Sequence, residues 1–134
     1  MSTIKDKNLA TIGQQEVDWA ARQMKVLEEI KTEFSSSKPL NGLNIGACMH
    51  VTKETGNLML TLKAAGANVA LCASNPLSTK DSVAAYLSEN DIEVHAVHGV
   101  SNEDFFKHLN SVLDTNPDIT MDDGADLVTL LLTD

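Results

Sequence analysis

Cysteine is scarce: Cys48 and Cys72 are the only two in the 134-residue chain. With no secretory segment ahead of them they read as free thiols rather than a disulfide, and they fall short of the four ligands that a structural zinc site takes at set spacings. No apolar run approaches the ~20 residues that span a bilayer. Met1–Lys7 lacks the apolar stretch of a secretory signal, so the expectation is an untargeted cytoplasmic protein with no membrane role. Basic residues are outnumbered, 10 Lys plus Arg against 19 Asp plus Glu. Such a surface repels phosphate backbones, which argues against a nucleic-acid partner. Internal repeats and low-complexity tracts are absent. So is a G-x-G-x-x-G fingerprint, and these residues therefore show no means of holding a dinucleotide by that route.

What the chain does have is length for one compact domain and a regular alternation of apolar segments. Val17, Ala20, Ala21, Met24, Leu27 and Ile30 recur at helical spacing and predict one long helix from Gln14 to Phe34, broken by Ser35–Pro39. Short apolar strands follow at Leu43–Cys48, Asn68–Cys72, Ile92–Val97 and Asp118–Met121. Between them lie helical stretches at Lys53–Ala65, closed by Gly66, at Thr79–Glu89 and at Asn102–Leu113. Asp126–Thr133 could begin a further helix. Strands alternating with helices imply right-handed βαβ units. The predicted fold class is α/β: a three-layer sandwich with a mostly parallel, doubly wound, Rossmann-like sheet preceded by a long N-terminal helix.

Ligands of such sheets bind beyond the carboxyl ends of the strands. Four segments fall there: His50–Thr55, Ser74–Ser78, His98-Gly99 and Asp122-Asp123-Gly124. Together they bring an imidazole, hydroxyls, an amide and carboxylates to one edge, a set suited to a small hydroxylated ligand with a ring and to proton transfer. Each also has a plainer reading. Thr52 is a possible N-cap, Ser78 and Ser101 open sequences like capping boxes, and Asp122–Gly124 could be a turn. Cys48-Met-His50 alone is weak as a metal site. His95 reads as structural, and His98 and His108 as surface residues.

At these same loops the sequence becomes specific. Cys48-Met-His50-Val-Thr52-Lys-Glu54-Thr55 resembles the segment C-L-H-M-T-x-E/Q-T of the adenosylhomocysteinase (S-adenosylhomocysteine hydrolase) family. Ser74-Asn75-Pro-Leu-Ser78-Thr79-Lys80-Asp81 resembles its C-N-x-x-S-T-Q-D. Asp122-Asp123-Gly124-Ala125-Asp126-Leu127 resembles its D-D-G-G-D-L. The Ser37–Leu40 turn and the helix before it are similar too, and the likeness runs through nearly the whole chain in order. It implies an enzyme that reversibly hydrolyses S-adenosylhomocysteine to adenosine and homocysteine with bound NAD, through oxidation of the ribose 3′-hydroxyl, loss of the C4′ proton, elimination of homocysteine and addition of water. Carried over residue by residue, His50 and Asp123 match the family's proton-transfer residues. Thr52, Glu54, Asn75, Ser78 and Asp123 match substrate contacts, Glu54 at the adenine edge. No matching position binds the cofactor or a metal.

Four positions depart from the family pattern. Ser74 replaces a cysteine, Lys80 a common glutamine at the pocket rim, Leu60 a frequent glutamate and Ala125 a glycine. The family's catalytic lysine, its T-T-T-G segment and its NAD-binding domain have no counterpart in residues 1–134. The resemblance thus makes these residues the N-terminal part of the substrate-binding domain, inactive in isolation, of an enzyme that in this family is a homotetramer. The alternative is a stand-alone nucleoside-binding module. A phosphoacceptor receiver is disfavoured, since its acidic pair would follow the first strand. The apolar Leu127–Leu132 stretch is a candidate surface for association.

Overall fold

A computed structural model describes residues 1–133. A single 3-10 turn, Lys7–Leu9, leads into α1 (Ala10–Ala21) and α2 (Lys25–Ser37). The alternation then runs β1 (Asn44–Cys48), α3 (Lys53–Ala64), β2 (Asn68–Cys72), α4 (Asp81–Glu89), β3 (Glu93–His95), α5 (Asn102–Leu113), β4 (Ile119–Asp122) and α6 (Asp126–Thr133). The four strands form one sheet in the order β3-β2-β1-β4, every pair parallel.

The strands have two buried faces, and their residues divide between them with the period of two that the pleat imposes. Ile45 and Ala47 of β1, with Val69 and Leu71 of β2, face a core filled by Val17 of α1, Met59 of α3 and Val83 and Leu87 of α4. Cys48, Ala70 and Cys72 face the opposite core, filled by Phe105, Leu109 and Val112 of α5 and Leu127 of α6. These are the three layers expected. The N-terminal residues add a fourth contact along the free edge of β3: Thr3 donates to the Val94 carbonyl at 2.8 Å, and its own carbonyl accepts from Ala96 at 3.0 Å.

The predicted single helix over Gln14–Phe34 is two helices. The chain leaves helical geometry at Met24 (φ −120°, ψ 56°), after Gln23 and Met24 close short bonds back to Ala20 and Ala21. Arg22, Gln23 and Met24 are all good helix formers, so the break comes from packing: α1 lies across α3 and α4, whereas α2 packs chiefly on α3. The third strand is shorter than predicted and α4 starts two residues later. Gly66 ends the α3 segment as expected, with φ +100°. Gly13 of α1 sits against α4 so closely that a Cβ there would lie 1.9 Å from the Ser82 carbonyl oxygen.

Candidate functional site

β1 is flanked by β2 on one side and β4 on the other. The chain winds from β1 outward through β2 to β3, then crosses by α5 to the far side of β1. Winding therefore reverses between β1 and β4, the topological switch point at which sheets of this kind bind their ligands. His50 follows β1 and Asp123 follows β4. Their strand ends are register partners, Cys48 opposite Asp122, and the Asp123 amide donates to the Cys48 carbonyl at 3.2 Å.

The loop carrying His50 is held by its main chain. Met49 donates to the Cys72 carbonyl at 3.1 Å, Val51 to the Ser78 carbonyl at 2.8 Å, and Lys80 to the Val51 carbonyl at 2.9 Å. Val51 itself is completely buried. The residues on each side of His50 are thus fixed, while its imidazole is exposed and has no hydrogen-bond partner among the described residues. Thr52 caps α3 by position without a side-chain cap bond, and its hydroxyl lies 3.5 Å from that of Thr55.

The two adjacent aspartates have different work. The Asp122 carboxylate accepts from the amides of Asp126 and Val128, both at 3.1 Å, and so satisfies the first turn of α6, where an anion is favoured. Asp123 is exposed, and no described residue donates to its side chain. Of the pair it is the carboxylate free to meet a ligand. The turn between them and α6 holds Ala125 at φ 61°, a left-handed conformation that costs a side-chain-bearing residue about 1 kcal/mol. The departure from glycine at this position is therefore a strained one.

Asn75 and Ser78 bond within their own loop. The Asn75 side-chain oxygen accepts from the Leu77 amide at 2.8 Å, and the Ser78 hydroxyl accepts from the Asn75 amide at 3.1 Å and donates to its carbonyl at 3.0 Å. Both side chains shape their own loop, and Ser78 caps no helix. Ser101 does cap α5, accepting from the Asp104 amide at 3.1 Å. Asp81 accepts from the His98 amide at 3.0 Å, and Gly99 donates to the Pro76 carbonyl at 2.8 Å, so the loops after β2 and β3 are tied together. The hydroxyls of Ser74 and Thr79 are buried without a protein partner. The Lys80 ammonium pairs with Glu16 of α1 at 3.6 Å, and the same carboxylate accepts a short hydrogen bond from the Ser82 hydroxyl.

Glu54 stands exposed at the mouth of a groove of about 810 Å³ that sequence reasoning missed. Met24, Leu27 and Ile30 form one wall, Met49 and Leu58 the other, with Thr55 beside Glu54. The apolar spacing of α2 is visible in the sequence as a helix signal, but it does not say what that face meets. In fact α2 has no fully buried residue, and Val26 is 72% exposed. Beside Glu54, Lys53 lies 4.0 Å from its carboxylate and 5.4 Å over the ring of Trp19.

The last rung of the sheet forms the floor under these loops: Asp122, Cys48, Cys72 and His95 are register partners in sequence across it. The hydrogen bond with Cys48, then burial, push the Cys72 thiol far above the ordinary thiol range, which keeps it protonated and unreactive. Burial and the neighbouring Asp122 raise the Asp126 carboxyl. Among the described residues one group, Cys48 with Asp122 and Asp126, brings donor atoms within 4.8 Å of one another. Asp122 there is already committed to α6 and Cys48 is fully buried, so the group is packing at the sheet end. His95 is buried, bonded to Thr3 and Glu93, as a structural histidine should be. His98 is exposed. His108, expected on the surface, is buried at 9% exposure, because it shares the inward face of α5 with Phe105, Leu109 and Val112.

The fold is a doubly wound α/β domain, with an exposed imidazole and an exposed carboxylate on the loops that leave the two strands at its switch point. The particular family follows from comparison with known proteins: the model of the S-adenosyl-L-homocysteine hydrolase family matches residues 1–134, and the chain belongs to that family. It is 50% identical over 129 residues to the adenosylhomocysteinase of Aquifex aeolicus, covering 96% of this chain and 31% of that protein. It is 51% identical over 126 residues to the adenosylhomocysteinase of Pyrobaculum aerophilum, covering 94% of this chain and 29% of that one. The S-inosyl-L-homocysteine hydrolase of Methanococcus maripaludis is 46% identical over 134 residues, 100% of this chain and 32% of that protein. The chain thus spans about a third of the length of the curated relatives it matches. Among the described residues no helix is long and apolar enough to cross a membrane.

Proposed function

We propose that this chain is the N-terminal, substrate-side part of an enzyme that reversibly hydrolyses S-adenosylhomocysteine to adenosine and homocysteine. The observation that carries the reading is the convergence of His50 and Asp123 at the switch point, each on a pinned main chain and each with an uncommitted side chain. A substrate bound there would meet an imidazole able to hold or pass a proton near the ribose and the sulfur leaving group. It would also meet a carboxylate able to accept from ribose hydroxyls. Thr52 offers a hydroxyl on the same side. Glu54 offers an acceptor-only carboxylate to the nucleobase edge, beside the apolar groove. Asn75 and Ser78 act by shaping the loop that holds Val51, and through it His50.

The family's NAD does not fit this site. Between Cys48 and Gly56 the loop after β1 holds no glycine, and its first helical turn carries Lys53 and Glu54, where a dinucleotide's pyrophosphate needs close backbone approach and no carboxylate. The reading therefore assigns the cofactor to another part of the whole protein. It leaves this chain the work of binding, orienting and proton transfer. A cytoplasmic homotetramer is the assembly in which the family resemblance sets that work.

Homocysteine thiol release from S-adenosylhomocysteine by the whole protein tests the proposal. His50→Asn and Asp123→Asn should each lower kcat about 100-fold or more while leaving the protein folded. Unchanged turnover in both would refute it. Running S-inosylhomocysteine beside S-adenosylhomocysteine shows which nucleobase Glu54 accepts.

A further inference from the structure

Asn41 is followed by Gly42 in the turn that joins α2 to β1, and the structure leaves this pair unusually open. Asn41 is exposed, and its side-chain amide has no hydrogen bond among the described residues. The Gly42 N–H likewise has no partner, while the flanking residues do: Asn41 donates to the Lys38 carbonyl at 3.2 Å and Leu43 to the Leu40 carbonyl at 3.0 Å. Gly42 stands at φ +83° with nothing within 4 Å of where a Cβ would be. Asn41 packs its main chain against Gly66, but on the Gly42 side the peptide between the two residues has open space and its N–H no bond to break, and glycine accepts either sign of φ.

We infer that Asn41 is a self-modification site, at which the chain deamidates and isomerises without any enzyme. The Gly42 nitrogen attacks the side-chain amide carbon of Asn41, and ammonia leaves as a five-membered succinimide closes. Water then opens the ring at either carbonyl. One opening gives aspartate. The other gives isoaspartate, in which the main chain runs through the former side chain and is longer by one methylene. No oxidant or cofactor enters, only water.

Six of the other nine asparagines are held back by features of the same structure. Asn75 and Asn116 precede proline, which has no N–H to act as nucleophile. Asn57 is buried, its amide donating to the carbonyls of Val17 and Lys53. Asn90 and Asn110 donate to the carbonyls of Tyr86 and Phe106 one turn back. Asn68 donates to the side chain of Asn44. Asn8, Asn44 and Asn102 precede Leu9, Ile45 and Glu103, whose side chains crowd the attacking nitrogen, so modification should be fastest at Asn41.

Its consequence lies in the turn. Leu40 donates to the Ala65 carbonyl at 3.0 Å and accepts from Leu43 just ahead of β1, the strand that ends at the His50 loop. An extra methylene between Leu40 and Leu43 opens that bond, and the aged chain should unfold at a lower temperature.

The test is to age the folded chain at neutral pH beside a short peptide covering the same turn, following intact mass and then mapping peptides with a protease that cleaves before aspartate but not isoaspartate. The expected result is a gain of one mass unit located at Asn41, mostly as the cleavage-resistant isomer, on the peptide's own timescale. Asn41→Gln should abolish the gain. Gly42→Ala should slow it several-fold, and the far-ultraviolet spectrum of that variant shows whether it folds. An unmodified Asn41 in the folded chain after the peptide has converted overturns the inference. So does equal conversion at several asparagines.

Discussion

Asp122 and Asp123 are neighbours of one residue type, and their fates diverge because only one reaches the amides of α6. Replacing Asp122 by Asn leaves a single acceptor oxygen for two N–H groups and should lower stability by about 1–2 kcal/mol in urea unfolding. Asp123→Asn should leave the unfolding midpoint unchanged. Equal effects on stability would show that the division of labour is wrong. The pair was legible in the sequence as a ligand-edge motif, but the division was not, because it depends on which carboxylate the following turn presents to the helix.

His108 carries a pH prediction. Burial, then the nearby His95, lower its pKa from the ordinary 6.5, and the two rings lie 6.4 Å apart. The folded chain therefore binds this proton less readily than the unfolded chain. The contribution is fully present above the ordinary value and is lost as pH falls from there toward the lowered one. The unfolding midpoint should drop as pH falls below the ordinary histidine value, and less steeply in His108→Gln. A drop of the same steepness in that variant contradicts this account. The signal for its burial was present in the spacing of Phe105, His108, Leu109 and Val112, one helical face. Reading histidine as a surface residue by type overrode it.

At the scale of elements, the strands and most helices followed from pattern because both sheet faces are buried and the connections are punctuated by glycine, proline and capping residues. Ser101 capping α5 and Gly66 closing α3 are local chemistry that a sequence displays directly. The break between α1 and α2 is not local chemistry. It reflects the separate paths of α1 across α3 and α4 and of α2 along the groove, and no residue type at Arg22–Met24 announces it. The crossing of α1 on α4 depends on Gly13, where an added Cβ would strike the Ser82 backbone at 1.9 Å. Backbone cannot give way as a flexible side chain does. Gly13→Ala should destabilise the chain by about 1–3 kcal/mol, outweighing the ~1 kcal/mol that alanine contributes in helix propensity. A more stable variant in thermal unfolding would show that the helices are not in close contact there. Because Glu16, one turn on, holds Lys80 and Ser82, the same substitution should also loosen the loop that carries Ser78 and, across from it, Val51.

For the whole molecule, the sheet does one thing for function: it reverses winding at β1 and β4 and so sets His50 and Asp123 on adjacent loops. The groove beside Glu54 could not be read from the sequence, since an apolar helix face looks the same whether it meets a core or lines an opening. The isolated 134-residue polypeptide, supplied with NAD, should not hydrolyse S-adenosylhomocysteine.

The most direct measurement is a graft. Residues 1–134 replace the matching amino-terminal part of the adenosylhomocysteinase of Aquifex aeolicus, with which they share 50% identity over 129 residues, and thiol release from S-adenosylhomocysteine is followed. The account predicts a chimaera that binds NAD and turns over, and that loses about 100-fold or more of its kcat when Asp123 becomes Asn. A folded, NAD-loaded chimaera without turnover, or one indifferent to Asp123→Asn, would contradict it.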